Sequence, residues 1–207
     1  MKRFWMTVVF VALVIAGAAS LMLNAEAKGK GGADVKRGEY LVKGGGCGDC
    51  HTPLKMGPNG PEPDMTRMLS GHLEGMAMPP APKVEMPWAG AFAATMTAWS
   101  GPWGVSFVAN ITSDKETGIG EWSEETFTQA IRSGRHLGKG RPILPPMPIP
   151  AMQQLTDEDL KSIFAYLKTT PAIKNRVPDP LPPIAAPPAP PAPPAPAQPP
   201  APPEPAK

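Results

Sequence analysis

The feature that most constrains this chain is its cysteine content, because only two cysteines occur in 207 residues. They stand at positions 47 and 50, and His51 follows directly. A structural zinc site needs four ligands, whereas this cluster supplies three and no second cysteine pair exists to complete it. A thioredoxin-like dithiol remains an alternative for any C-x-x-C, but no strand–helix–strand pattern surrounds these thiols. The role of Cys47, Cys50 and His51 must therefore be inferred from their spacing in the sequence.

The run Cys47-Gly48-Asp49-Cys50-His51 has the C-x-x-C-H spacing by which haem c is attached. Two thiols at this spacing can form thioethers with the two vinyl groups of one porphyrin. The next residue then brings its imidazole under the ring, where it meets the iron as an axial ligand. Because the motif occurs once, the sequence predicts one covalently bound haem c, held by Cys47 and Cys50 and ligated by His51.

The N-terminal residues 1–27 have the pattern of an export segment. Lys2 and Arg3 precede an apolar stretch over residues 4–23, and Ala25-Glu26-Ala27 has the small-x-small form of a cleavage site. The apolar stretch is about 20 residues long, which also suits a membrane-spanning helix. We therefore expect either a cleaved signal peptide or a retained membrane anchor, and an exported chain in both cases.

The C-terminal part differs from the rest in composition. Of the 31 prolines, 16 lie from Pro178 onwards and alternate with alanine, which supplies too little apolar bulk for a core. We therefore divide the chain into the export segment 1–27, one domain over 28–177 and a disordered Pro/Ala-rich tail over 178–207. The net charge of +2 gives no basis for binding nucleic acid.

Apolar periodicity and capping residues predict three helices in the domain. Residues 34–42 predict the first helix, and residues 155–168 predict the last, with Thr156 as N-cap and Asp159 in the place of a capping-box partner. The predicted buried face of the last helix is Leu160, Ile163, Phe164 and Leu167. A shorter helix between them is predicted to begin after Ser123 and to end at Gly134. Its predicted inward-facing residues are Phe127, Ala130 and Ile131.

The first and last predicted helices of the domain resemble those of class I cytochromes c. The first match is Asp34-Val35-Lys36-Arg37-Gly38-Glu39-Tyr40-Leu41-Val42, and the second is Leu155-Thr156-Asp157-Glu158-Asp159-Leu160-Lys161-Ser162-Ile163-Phe164-Ala165-Tyr166-Leu167-Lys168. The resemblance implies a mainly α cytochrome c fold in which these helices cross, with Gly38 near Tyr166. It also implies a methionine ligand in the loop before the last helix, and Met147 occupies that place. His51 and Met147 are thus the predicted axial ligands.

Residues 110–127 resemble the middle of bacterial cytochromes that serve as electron-accepting subunits of membrane-linked dehydrogenases. This resemblance implies an electron carrier rather than an enzyme, with redox proteins as partners. It does not show whether the redox partner is a dehydrogenase, a quinol oxidase or a terminal oxidase. Haem attachment of this kind resembles that carried out by bacterial systems on the outer face of the cytoplasmic membrane. That implies a periplasmic protein, either soluble or anchored by its N-terminal segment.

The sixth iron position has alternatives to Met147. Met152 lies in the same loop and is the nearest rival. His72 and His136 are expected to be solvated or hydrogen-bonded loop residues, and either could supply a second imidazole instead. An open sixth position would indicate a peroxidase-like enzyme, and a displaceable ligand would suit a haem-based sensor. No distal acid–base pair or output domain is visible in the sequence to favour these two functions.

Residues 53–108 are rich in Gly, Pro, Met and Trp and are predicted to form a long ordered loop, without regular elements, that wraps the haem. Seven methionines in it are expected to fill gaps, with a Cu(I) site as the alternative. They are Met56, Met65, Met68, Met76, Met78, Met86 and Met96. The indole of Trp88, Trp99 or Trp103 could donate to a haem propionate, and the sequence does not single one out.

Overall fold

The computed structural model describes residues 33–82, 84 and 87–183. Within these residues no helix combines the length and the apolar character needed to cross a membrane. The predicted export segment 1–27 lies outside the described residues, and so does the part of the predicted tail beyond residue 183.

Short helices and two small antiparallel sheets make up the described part of the chain. The helices are α1 (Val35–Gly44), α2 (Cys47–His51), α3 (Glu124–Ser133), α4 (Ile149–Met152) and α5 (Asp157–Leu167), with 3₁₀ turns at Met65–Arg67 and His136–Gly138. The strands are β1 (Leu54–Gly57), β2 (Gly60–Pro63), β3 (Ala91–Phe92), β4 (Ala98–Gly101) and β5 (Gly104–Phe107). Strands β1 and β2 form a hairpin, and the second sheet has the order β3-β4-β5.

The ends of α1 and α5 are set by capping side chains. The Asp34 carboxylate accepts hydrogen bonds from the backbone N–H groups of Lys36 and Arg37, and the Thr156 hydroxyl accepts from the N–H of Asp159 at 3.1 Å. A capping box would turn the Asp159 carboxylate back towards Thr156. Instead, this carboxylate accepts from Nε of Arg37 at 2.9 Å. The acidic residue therefore links the last helix to the first.

Helix α3 agrees with its prediction at both ends. The Ser123 hydroxyl accepts from the N–H of Thr126 at 3.0 Å, and the N–H of Gly134 bonds to the carbonyls of Ala130 and Ile131. The side chains predicted to face inward, Phe127, Ala130 and Ile131, are buried. The prediction of this helix is confirmed.

The core is centred on a close crossing of α1 and α5 at Gly38. A Cβ atom added to Gly38 would overlap the carbonyl of Ser162 and lie 2.9 Å from Cβ of Tyr166. Only glycine lets the two backbones approach this closely. The predicted apolar face of α5 is buried throughout, from Leu160 to Leu167. The helix crossing implied by the resemblance is therefore present, with Tyr166 beside Gly38.

Residues 53–108 differ from the prediction, because they contain all five strands instead of forming a loop without regular elements. Each strand has only two to four residues, which is too short to show an alternating pattern in the sequence. Pro61 and Pro63 lie in β2, and prolines normally argue against a strand assignment. They are accommodated because β2 pairs only with β1 and has a free edge.

The chain leaves the domain along β5. Residues 178–183 were assigned to the tail from composition, and they are part of the described structure. Leu181 and Val105 exchange two backbone hydrogen bonds, of 3.0 and 2.9 Å, in an antiparallel bridge. The first residues of the Pro-rich segment are therefore attached to the small sheet.

Candidate haem-binding site

The motif helix α2 places both cysteines on one helical turn. It begins after Gly46, whose backbone is left-handed with φ of 67°, and it ends at His51. Both cysteines are half-buried free thiols, and Cys47 packs against the hydrophobic core. Burial raises the pKa of each thiol above its ordinary value, whereas the reactive cysteine of a redox dithiol has a lowered pKa. The raised pKa of both thiols does not favour the thioredoxin-like alternative.

The His51 side chain is buried and held in a fixed orientation. Its Nδ1 atom lies 2.8 Å from the carbonyl oxygen of Ala109. Because a carbonyl can only accept, Nδ1 carries the proton and donates it, which leaves the lone pair of Nε2 available to a metal. Burial lowers the pKa of His51, so the ring is neutral at neutral pH, as a ligand must be. The imidazole is therefore arranged to ligate through Nε2.

Two loop segments hold the carbonyl that orients His51, and we call residues 69–72 and 108–111 together the ligand clamp. The N–H of Gly71 donates to the carbonyl of His51 at 2.8 Å, and the N–H of His72 donates to that of Val108 at 2.9 Å. The N–H of Ile111 donates to the carbonyl of Leu69 at 3.0 Å. The ligand clamp could not be predicted from sequence because backbone pairing between distant loops leaves no residue pattern.

Met147 lies in a bend just before α4, between Pro146 and Pro148. The hydroxyl of Ser106 in β5 donates to the carbonyl of Pro145, which attaches this loop to the small sheet. The half-buried side chain of Met147 packs against the core that Cys47 also contacts. Met152 packs against the same core, and so does Met68, which the sequence analysis did not consider as a ligand. The structure thus brings three thioethers to the core beside the motif.

These residues fit a covalently bound haem c. Two free thiols stand on one turn, the adjacent imidazole has its Nδ1 occupied by a carbonyl, and thioether sulfurs lie on the same core. Thiol, imidazole and thioether are the groups that attach and ligate this cofactor. Within the described residues, no cluster of three or more His, Cys, Asp or Glu side chains could hold a different metal.

The two remaining histidines occupy different environments. His72 is fully buried, with Nδ1 3.0 Å from the Thr97 hydroxyl and the ring centroid 4.7 Å from that of Phe107. The expectation of a solvated or hydrogen-bonded loop residue is confirmed for His72, which is hydrogen-bonded and buried beside β5. His136 is exposed and meets the edge of Trp122, with the ring centroids 5.4 Å apart.

Burial of His72 makes a testable prediction about acid stability. Burial lowers the pKa of His72 below its ordinary value of 6.5, so the unfolded chain binds a proton that the folded chain does not. Stability is therefore lost as pH falls through 6.5, by at most about 1.4 kcal/mol per pH unit. We expect His72→Gln to show a smaller loss of unfolding free energy between pH 7.5 and 5.5 in urea titrations.

The exposed His136→Gln provides the matched control for this measurement. The pKa of His136 is also lowered, by burial first and then by the charge of Arg141, but its side chain is open to solvent. We expect the pH dependence of the unfolding free energy to differ less from that of the unmodified chain in His136→Gln than in His72→Gln. An acid sensitivity in His72→Gln equal to that of the unmodified chain would contradict the assignment of this proton to His72.

Methionine and tryptophan side chains of residues 53–108 do not behave as one group. Met68 packs against the core as predicted for a gap-filling residue, whereas Met56, Met65, Met76 and Met78 are exposed. Met86 lies outside the described residues.

The three indoles considered as propionate donors, Trp88, Trp99 and Trp103, also differ from one another. Trp88 is exposed, the N–H of Trp99 donates to Met96, and the N–H of Trp103 is buried without a partner among the described residues.

Comparison with known proteins finds similarity to cytochrome subunits of dehydrogenases. The chain is 33% identical over 132 residues to the gluconate 2-dehydrogenase cytochrome c subunit of Pantoea cypripedii, covering 64% of this chain and 22% of that protein. It is 32% identical over 152 residues to the fructose dehydrogenase cytochrome subunit of Gluconobacter japonicus, covering 70% and 24%. The alcohol dehydrogenase (quinone) cytochrome c subunit of Gluconobacter oxydans is 29% identical over 148 residues, covering 70% and 24%.

The aligned part is therefore most of this chain but less than a quarter of each relative's length. No protein-family model matches the chain. The three relatives are cytochrome subunits by name. Together they support the placement of this chain in a cytochrome c-type family.

Proposed function

We propose that this chain is a monohaem c-type cytochrome that carries single electrons between redox proteins. One haem c is attached through Cys47 and Cys50, with His51 and Met147 as axial ligands of its iron. The observation that carries the proposal is the 2.8 Å contact between Nδ1 of His51 and the carbonyl of Ala109, beside two free thiols. It leaves Nε2 as the ligating atom of a neutral ring. When bound, the haem supplies the one-electron iron couple.

The protein's contribution is to hold the ligands still and to keep water away. His51 is buried and fixed through Nδ1, while Met147 lies between two prolines in a loop tied to Ser106. Proline fixes the backbone φ angle, so this loop has few conformations to explore. Ligands that keep their positions in both oxidation states limit the reorganisation that accompanies electron transfer. A thioether ligand also raises the reduction potential relative to a second imidazole.

The proposal includes a cytochrome c fold and a partner of the dehydrogenase kind. The crossing of α1 and α5 at Gly38 supports the fold, since it follows the arrangement that the resemblance implied. The cytochrome subunits found by comparison support the partner. The chain aligns with less than a quarter of their length, so the partner is inferred from the shared part alone. The proposal also includes a periplasmic location, which the resemblance to bacterial haem attachment on the outer face of the cytoplasmic membrane supports.

The visible spectrum of the purified protein tests this function. We expect sharp bands in the reduced protein, a methionine–iron band at the red end of the oxidised spectrum, and no response to carbon monoxide. Rapid binding of carbon monoxide would show an open or labile sixth position. That result would replace the carrier by a peroxidase-like enzyme or a haem-based sensor.

A pair of methionine substitutions tests the sixth ligand. Met147→Ala is expected to abolish the red methionine–iron band and to make the iron accessible to carbon monoxide, because the sulfur is removed. Met152→Ala provides the matched control, since Met152 packs against the same core but is expected to leave the band in place. A band that survives in Met147→Ala and disappears in Met152→Ala would assign the ligand to Met152.

A further inference from the structure

The carbonyl of Ala109 is held by a ring of hydrogen bonds that begins and ends at His51. The carbonyl of His51 accepts from the N–H of Gly71, and the next residue, His72, donates to the carbonyl of Val108. Val108 precedes Ala109, whose carbonyl receives the proton of His51 Nδ1. The acceptor of the hydrogen bond that orients the imidazole is therefore held by both segments of the ligand clamp rather than by a single loop.

Gly71 is the residue that allows the two segments of the clamp to meet. Its φ of +77° is in the left-handed region, and a Cβ atom added there would overlap the carbonyl oxygen of Val108 and lie 2.6 Å from both the carbonyl carbon and the carbonyl oxygen of Ala109. Real Cβ atoms do not approach backbone atoms this closely, so the two segments of the ligand clamp would have to move apart at Val108 and Ala109. Any such movement shifts the acceptor of the His51 proton.

Asn175, in the segment after α5, holds the ligand clamp through its side-chain amide. Its side chain is 1% exposed, and its Nδ2 donates to the carbonyls of Ser70 and His72, both at 2.7 Å. Its Oδ1 accepts from the N–H of Glu74 at 2.8 Å. One amide thus fixes the carbonyls on both sides of Gly71.

We propose that Gly71 and Asn175 are positioning residues for His51 that set the reduction potential of the bound haem. This inference rests on the proposed function, because it requires His51 to ligate the iron. A strong hydrogen bond from Nδ1 raises the basicity of the ligating nitrogen. A more basic nitrogen stabilises the oxidised iron. Weakening the bond between His51 and Ala109 therefore favours the reduced iron and raises the potential.

A pair of glycine substitutions separates this role from general backbone strain. Gly71→Ala forces the Ala109 peptide away, whereas Gly75→Ala places alanine at a similar φ of +73° with nothing within 4 Å of its Cβ. Both variants bear the same left-handed strain, and only the first presses on the clamp. We expect Gly71→Ala to raise the equilibrium constant for one-electron reduction about tenfold, an upward shift of about 59 mV. Gly75→Ala is expected to keep the unmodified potential.

Spectroelectrochemical titration of the holoprotein measures the potential, and electron paramagnetic resonance of the ferric form reports the change at the axial ligand. Equal potentials in Gly71→Ala and Gly75→Ala would overturn the inference. The haem content of the unmodified protein is measured first. Absence of covalent haem there would refute the proposed function and the inference with it, whereas a normal haem with unshifted Gly71→Ala refutes the inference alone.

Asn175→Leu provides a second test if Gly71→Ala does not fold. Leucine has nearly the shape of asparagine and carries no charge, but it cannot donate to the carbonyls of Ser70 and His72. The neighbouring Lys174 pairs with Glu116 at the surface, so Lys174→Ala is the control in the same segment. We expect an upward shift of the potential in Asn175→Leu alone. A potential unchanged from that of Lys174→Ala would overturn the role of Asn175.

Discussion

Replacement of both Cys47 and Cys50 by serine is expected to leave the chain without covalent haem. The hydroxyl of serine does not form the thioether that each thiol makes with a vinyl group, and no other cysteine in the chain can substitute. Haem staining after denaturing electrophoresis should be lost completely, and the mass of the intact chain should lack one haem. Each single substitution should leave at most one thioether and a lower yield of haem-bearing protein.

Asp49→Asn is the matched control for this experiment. Asp49 lies between the two cysteines and is exposed, so its replacement keeps the spacing and the helix while changing the charge. We expect full haem attachment in this variant. Haem that remains bound through denaturation in the double serine variant would contradict the assignment of the two thiols as attachment points.

Substitution of Gly38 by alanine is expected to cause a large loss of stability. The added methyl group overlaps the Ser162 carbonyl and meets Tyr166, so α1 and α5 must separate along their contact. Overpacking against rigid structure costs about 1–3 kcal/mol and occasionally more. Here the obstacle is backbone that cannot change rotamer, so we expect about 3 kcal/mol. Urea unfolding followed by far-ultraviolet circular dichroism measures this loss.

Gly44→Ala tests whether the effect belongs to the helix crossing. Gly44 lies in the same helix, and an added Cβ would meet nothing within 4 Å. Alanine is the better helix former by about 1 kcal/mol, so this variant should be unchanged or slightly more stable. Equal destabilisation of both variants would show that the helix itself, and not its contact with α5, is sensitive to alanine.

Helices α1, α3 and α5 could be predicted from sequence because their determinants are local. Ser123 and Gly134 define α3 through hydrogen bonds to residues three or four positions away, and Thr156 starts α5 in the same way. The spacing of Leu160 and Leu167 on one face also lies within a single helix. Helices α2 and α4 were not predicted, because their five and four residues are too few to show a period. The imidazole of His51 could be proposed as a ligand because it directly follows the second cysteine.

The rest of the site depends on contacts between residues far apart in the chain. The Ala109 carbonyl is 58 residues from His51, and Asn175 is 105 residues from Ser70. Asparagine is common in loops, so nothing in the sequence distinguished Asn175 from a turn residue. The short strands around Trp99 were missed because each has too few residues to reveal a period.

The crossing of α1 with α5 has a consequence for the folding of the chain after export. The N–H of Asp34 bonds to the hydroxyl of Ser162, 128 residues later, so the first helix lacks its contact with α5 until nearly all of the domain is present where it folds. Closing a loop of this length costs entropy, which slows folding. The chain therefore passes through a period in which Cys47 and Cys50 stand next to an incomplete core. During that interval both thiols are open to the enzymes that would modify them, and docking of α5 ends it.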